Sequence, residues 1–579
     1  MRLDLSAVPF SRYGSYLAFS TLPATGSRQA GLYLRHVHGP GDLNPDPLQP
    51  VFRLDLLDGE GRSVPFTPEA TPTLLSLQAA GSRAELCLPD PGTVRLRCTG
   101  GGLRLQMATG PYDYAVPRGG DRWHICRAGA DAVSFMLTPL RGQVAVHAEW
   151  NGLGVEGPVI LDLLPGPDGT AEAVLEEFIT VWRPGHIHPT FDAARRQVEM
   201  EFERWRAGIP AVPPEYTAAA EEAACILWSC VVAPLGHLTR PAVLMSKGRM
   251  SAIWSWDNCF NAVALSAGHH ALAWDQLMVM FDHQDAHGQL PDLMNDRLDL
   301  WSFNKPPVQG WALRQMMART PAITPDHLAE LYPPLARWTE WWFRHRDDDQ
   351  DGIPQYNHGN DSGWDNSTLF LTRPPIEAPD LCAYLVIQMD VLAEIAGRLG
   401  QMDAARQWHA RSDTLLEGML AHFWDGRRFI ARQSGTHRPI QTGSLQLYLP
   451  LVLGTRLPRE IYRRMVVDLQ KPGRFLTHHG LATESLDSPH FRPDGYWRGP
   501  VWAAPVMLIG EGLRAGGQAR LARNLYRLFC DTVAQNGIAE NYNAHTGEGL
   551  RERGFTWTAG IFLALASTLA EQEPIQKLI

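Results

Sequence analysis

Over the first ~185 residues, apolar and polar positions alternate with period two, the spacing that puts every second side chain on one face of a strand. Val94, Leu96 and Cys98 alternate with Arg95 and Arg97. After Gly100-Gly101-Gly102, Leu103, Leu105 and Met107 alternate with Arg104 and Gln106, which predicts a hairpin. Val133, Phe135 and Leu137 repeat the pattern, as do Val144, Val146, Ala148 and Trp150. Short strands broken by Gly and Pro turns predict a β-sandwich over residues 1–189.

The period changes near Thr190. Residues 190–213 read as a helical linker: a charged helix from Phe191 to Arg206, then Ile209-Pro210-Ala211-Val212-Pro213. Helical spacing then runs nearly to the end. Leu381, Leu385, Leu392, Ile395 and Leu399 share a face, and Gly400 suits the stop that follows. Ala404, Trp408, Leu415, Met419 and Phe423 form the next stripe. Such segments begin near residues 214, 257, 270, 307, 325, 378, 402, 442, 457, 499, 516 and 555. Twelve helices predict six helical hairpins closed into an all-α (α/α)6 barrel over residues 214–579. The connections 347–377, 471–498 and 536–554 are long and rich in polar, charged and aromatic residues. Loops of that kind at one end of a helical ring make a pocket for a small polar ligand.

The formal charge of −10 leaves no basic excess to neutralise phosphates, so nucleic acid is not an expected partner. No apolar run is long enough to span a bilayer, and Met1 to Leu5 do not resemble a secretion signal, so a cytoplasmic location is expected. Eight cysteines are too sparse for a disulfide framework, and Cys225 and Cys230 read as small core residues. The 19 tryptophans carry more information, because many stand beside carboxylates in loop-like segments. An indole offers a broad face for a sugar ring, although core packing must account for many of them.

Four segments carry the candidate carboxylates and indoles. In Asn360-Asp361-Ser362-Gly363-Trp364-Asp365-Asn366-Ser367, burial beside Trp364 would raise a carboxyl pKa, as a general acid needs; a solvated tight turn is the plainer reading. Glu540-Asn541-Tyr542 offers a carboxylate from a distant loop, or a polar surface. Arg249, Trp254, Trp256 and Asp257 suit a sugar clamp at a helix start; alternatively Asp257 is an N-cap and both rings are core. Tyr496-Trp497-Arg498-Gly499-Pro500-Val501-Trp502 places Trp497 and Arg498 before a Pro-initiated helix, projecting at its mouth or packing inward.

Taken in order, Trp-Ser-Trp-Asp-Asn, Asp-Ser-Gly-Trp-Asp-Asn-Ser, Tyr-Trp-Arg-Gly-Pro-Val-Trp and Glu-Asn-Tyr resemble the catalytic domain of glycoside hydrolase family 63 and, more distantly, the family 37 trehalases. The resemblance covers residues 214 to 572 and implies an anomer-inverting α-glycosidase, and a pocket ringed by Trp and long loops suits exo-attack on a terminal sugar. It assigns the general acid to Asp365, not Asp361, and the general base to Glu540. Trp256 and Asp257 match residues that hold the terminal sugar, and Trp497 matches an aromatic wall. Lys305 replaces a family glutamine that touches the sugar, and Asp361 stands where Glu is common. Inversion needs the two carboxyls roughly 6.5–9.5 Å apart, on opposite faces of the anomeric carbon. Within the family, α-glucoside disaccharides are the first expectation and glucosyl- or mannosylglycerate the second. A glycerate carboxylate would need a cation, with Arg492, Arg498, Arg551 and Arg553 as candidates. A sugar-binding protein without catalysis would keep the aromatic clamp and lose the acid or base, and both are present.

No cofactor or metal is expected. Asp347-Asp348-Asp349-Gln350-Asp351-Gly352 resembles the start of a calcium loop, but His358 stands where an EF-hand has its bidentate glutamate, so an acidic turn is the reading. His186-Ile187-His188 lacks a third ligand.

Overall fold

The computed structural model describes residues 1–571 except Ser27, Ala130, Asp131 and His186, so part of the His-x-His pair lies outside the described residues. The N-terminal region is a sandwich of a seven-stranded and an eight-stranded antiparallel sheet. Its core is the apolar set that the alternation marks, including Leu34, Phe52, Leu86, Leu96, Leu105 and Phe135.

The expected hairpin does not form. Strands Thr93–Thr99 and Leu103–Met107 belong to different sheets, and Gly100–Gly102 carries the chain from one to the other. The crossing is tight: a Cβ would lie 2.0 Å from Gly81 O at Gly100, and 2.1 Å from Leu57 O at Gly101. Only glycine permits such an approach. The strands Val133–Arg141 and Gln143–Trp150 are likewise split between the sheets, around Gly142.

After α1 (Phe191–Ala207), capped by the Thr190 side chain, come α2 (Thr217–Cys230), α3 (Asp257–Leu265), α4 (His270–Met278), α5 (Gln309–Arg319) and α6 (Pro325–His345). Then follow α7 (Pro379–Arg398), α8 (Met402–Phe423), α9 (Arg459–Leu469), α10 (Ala503–Ala515), α11 (Ala519–Asn536) and α12 (Thr556–Ala570). The segment expected near residue 442 is a 3-10 helix, Leu445–Arg456, broken at Gly454 (φ 54°) and containing Pro450, which has no N–H to donate to an α-helical ladder.

An inner ring closes through successive packing of α3, α5, α7, the 3-10 segment, α10 and α12, with α12 returning to α3. Inner helices α3, α7, α10 and α12 are buried almost all round, whereas α8, α9 and α11 bury one stripe. This is an (α/α)6 barrel. The β-sandwich is pinned to it at His38, whose ring nitrogens lie 2.6 Å from Asp296 and 3.1 Å from Glu177. A sandwich loop at Gly41–Leu43 also reaches the barrel, where the Gly41 N–H donates to Ser251 Oγ at 2.8 Å.

Candidate active site

A cavity of about 670 Å³ opens at the loop-bearing end of the ring. Arg249, Trp254, Trp256, Asp257, Lys305, Asp365, Trp497 and Glu540 all line it, so residues from five distant segments meet there. Trp364 and Arg498 do not. Trp364 is buried behind Trp497, ring centroids 4.6 Å apart. Arg498 Nε donates to Asn366 O at 2.6 Å. Its role is to tie two loops together rather than to project at the mouth.

The turn bearing Asp365 is shaped by glycine. Gly363 adopts φ +71°, and a Cβ there would lie 2.4 Å from the Trp256 indole. The chain thus lies flat against Trp256 before it presents Asp365. Asp361 faces away from the cavity. Its carboxylate accepts the backbone N–H groups of Asn304 (3.0 Å), Asn357 (2.9 Å) and His358 (3.1 Å), which fixes the turn. Asn366 joins the turn to the Tyr496–Arg498 loop, accepting the Trp497 N–H at 2.9 Å and donating to Gly495 O at 3.1 Å.

Glu540 lies on the strand Ala539–Tyr542, and its Oε2 accepts the Glu552 N–H at 3.3 Å. Burial raises the Asp365 pKa from its ordinary value, against the pull of Lys305. Burial pushes Glu540 up to about 7; the Glu552 N–H and Arg551 oppose the rise and the Glu552 charge adds to it. The Tyr496 phenol interacts with both carboxyls and draws each back down. Tyr496 itself has φ 66°, and the Arg551 guanidinium stands 4.8 Å above its ring. Asn541 is not a partner of Glu540; Arg551 is the nearby cation.

Asp257 is the first residue of α3 rather than its cap, and burial pushes its carboxyl up to about 8. Lys305, itself buried, reaches Asp292 at 2.9 Å and donates to Asn360 O at 3.0 Å and to the Asn360 side chain. Asp292 is a site residue that the motifs do not mark. Nor do they mark Asp42 and Leu43 from the β-sandwich, Glu552 or Trp557, all of which line the cavity. The aromatic wall is a packed set: Trp497 and Trp502 stack at 4.0 Å and 7°, and Trp256 meets Trp557 edge-on at 5.1 Å.

Among the four arginines considered for an anionic group, only Arg551 lines the cavity, joined there by Arg249. Arg553 donates to Asn536 O and Gly549 O, and Arg492 to Pro489 O and Phe491 O.

Residues 250–558 match the family model of the mannosylglycerate hydrolase MGH1-like glycoside hydrolase domain. Mannosylglycerate hydrolase MGH1 of Selaginella moellendorffii is 24% identical over 463 residues, 65% of this chain and 91% of that protein. Glucosylglycerate hydrolase of Mycolicibacterium hassiacum is 23% identical over 426 residues, 57% of this chain and 94% of its own length. In solved structures, the fold is similar to the family 63 mannosylglycerate hydrolase of Thermus thermophilus in complex with glucose. That match has a TM-score of 0.52 and 22% identity, over 62% of this chain and 100% of the other. A bacterial glucoamylase complexed with acarbose gives a TM-score of 0.60 at 11% identity, over 98% of this chain and 94% of its own.

Proposed function

The chain belongs to the MGH1-like glycoside hydrolase domains of glycoside hydrolase family 63 and is a glycoside hydrolase, and on that premise we propose that it inverts the anomeric centre while removing a terminal α-hexosyl residue from a small glycoside with an anionic aglycone, as in 2-O-α-hexosylglycerate. Asp365 is the general acid in this reading. It protonates the glycosidic oxygen as the bond to the anomeric carbon breaks. Glu540 is the general base and takes a proton from the water attacking the opposite face. Trp256 and Trp497 pack the sugar, and the Asp257 carboxyl hydrogen-bonds its hydroxyls. The closed aromatic wall suits a terminal sugar.

The observation that carries the anionic aglycone is the pair Arg249 and Arg551. Both line the cavity, and among the described residues neither guanidinium is within 4.0 Å of a carboxylate, although Arg249 acts at longer range on Asp42 and Arg551 on Glu540, and Arg551 donates to Asp494 O at 3.0 Å. A guanidinium without a carboxylate partner can take one from the substrate in a two-pronged, charge-assisted bond. The curated relatives supply the same direction, since their names specify mannosylglycerate and glucosylglycerate.

A neutral α-glucosyl disaccharide is the second reading. Asp42 and Glu552 line the same cavity and offset the two arginines. The test compares kcat/KM for 2-O-α-glucosylglycerate and 2-O-α-mannosylglycerate with that for their methyl esters and for trehalose, kojibiose, nigerose and maltose. The proposal expects the free acids to be preferred by tenfold or more, about 1.4 kcal/mol, and the preference to shrink in Arg551→Gln. Equal rates on acid and ester would overturn the anionic aglycone in favour of the neutral one.

A further inference from the structure

Outside the cavity, one cluster gathers metal-ligating side chains from four parts of the chain. Asp349 and Asp351 come from the acidic turn after α6, and Glu377 from the strand Ile376–Glu377 just before α7. His422 is in the last turn of α8, and His437 lies between the strands Ala431–Gln433 and Pro439–Ile440. One potential ligand atom from each of Asp351, Glu377, His422 and His437 lies within 4.8 Å of the others.

The distances suit a small ion. His437 Nε2 is 3.4 Å from Asp351 Oδ2 and 3.9 Å from Glu377 Oε1, and His422 faces Asp351 Oδ2 with its Nδ1 at 3.8 Å. Ligands of a tetrahedral zinc ion, with bonds near 2.0–2.1 Å, stand about 3.3 Å apart. His422 Nε2 is closer to Glu377 Oε2, at 2.7 Å.

Three further observations mark the cluster as more than an ion-pair network. Glu377 is fully buried, and its Oε1 has no hydrogen-bond partner. An unsatisfied buried carboxylate oxygen is costly, and a cation removes that cost. His437 holds φ 52°, a left-handed backbone that turns its ring towards the carboxylates. Arg432 fixes both histidines from behind, donating to His422 O at 2.6 Å and His437 O at 2.7 Å.

We propose that Asp351, Glu377, His422 and His437 form a structural site for a divalent transition ion of the zinc class; Asp349, 3.0 Å from the same His437 Nε2, gives up that contact when the ion takes the nitrogen. Two imidazole nitrogens and two carboxylates are a zinc or cobalt donor set. Calcium takes six to eight oxygens and has no use for the imidazoles. The acidic turn is therefore not an EF-hand; its carboxylates serve a site completed by histidines. The solvent side, where His437 is 41% exposed, is the route of entry. The site ties the turn after α6 to the strand before α7. It thereby closes the base of the long segment that carries Asp361 and Asp365.

The test uses the full chain without an affinity tag, stripped with a chelator and titrated with Zn²⁺, Co²⁺, Ca²⁺ or Mg²⁺. Calorimetry measures binding, and thermal melting and the visible Co²⁺ spectrum report its consequences. A single equivalent of Zn²⁺ should bind and raise the melting temperature, and Co²⁺ should show the intense visible bands of a tetrahedral site. His437→Gln, at the exposed edge, and His422→Gln should each lower zinc affinity tenfold or more and abolish the cobalt bands. Circular dichroism checks that each variant is folded. Absence of Zn²⁺ binding to the intact chain would overturn the site, as would unchanged affinity in a folded His437→Gln, or binding of Ca²⁺ in preference to Zn²⁺.

Discussion

Gly363 lies against the indole of Trp256 so closely that a Cβ at residue 363 would stand 2.4 Å from the ring. The contact joins two motifs more than a hundred residues apart, and it sets where Asp365 points. Gly363→Ala must displace either the turn or the indole, and its φ of +71° adds backbone strain. Activity should fall by roughly 10²-fold or more, since a catalytic group moved by about 1 Å loses that much. Steady-state kinetics and a melting curve on the same preparation check it, and Gly363→Ala should lose kcat at a temperature where it is still folded.

On the proposed assignment, the carboxyls of the cavity set the pH profile. A general base works when deprotonated, so kcat/KM of the free enzyme should rise as pH passes through about 7, the value to which burial pushes Glu540. Glu552→Gln removes a like charge and should move this rising limb to lower pH. Arg551→Gln removes an opposing cation and should move it to higher pH.

With Asp365 as the proposed acid, the falling limb reports its carboxyl. Lys305 opposes the rise in the Asp365 pKa, so Lys305→Gln, which restores the glutamine of the family pattern, should move the falling limb to higher pH. The same substitution leaves Asp292 buried without its cation, and thermal stability should drop with it. A profile that does not move would show that neither limb reports these carboxyls.

Stability should carry a separate pH signature from the contact between sandwich and barrel. Burial lowers the His38 pKa, but Glu177 and Asp296 outweigh it and raise the folded value to about 9, against 6.5 for the free side chain. A raised pKa stabilises the fold fully below the unfolded value, and the gain disappears as pH rises through the folded one. The contribution, on the order of 3 kcal/mol, should therefore be present below about pH 6.5 and gone above about pH 9. Denaturant unfolding across that range checks it, and His38→Gln should flatten the dependence.

Much of the architecture is legible in the alternation and helical spacing, because burial on one face imposes a period that residue type records directly. The starts of α3, α4, α6 and α8 fall within two residues of the sequence pattern, since turns and caps are local. What local pattern does not carry is which sheet receives a strand. Gly100-Gly101-Gly102 satisfies a hairpin and a crossing equally well, and only the close approach to Gly81 and Leu57 decides. The site divides in the same way. Asp365, Glu540 and Trp256 stand in dense, unusual segments, whereas Asp292 and Asp42 are lone acids whose meaning comes from Lys305 and from docking of the sandwich. Trp364 and Arg498 stand in the right motifs but act one layer behind the cavity.

The measurement that bears most directly on the central claim is a proton NMR time course of 2-O-α-glucosylglycerate and 2-O-α-mannosylglycerate hydrolysis, run with the intact protein, Asp365→Asn and Glu540→Gln. The β-anomer of the hexose should appear first, and each variant should lose roughly 10²–10⁴-fold in rate, the order expected when an acid or base is removed. First-formed α-anomer, or a variant that retains its rate, would contradict the pairing of Asp365 as acid with Glu540 as base.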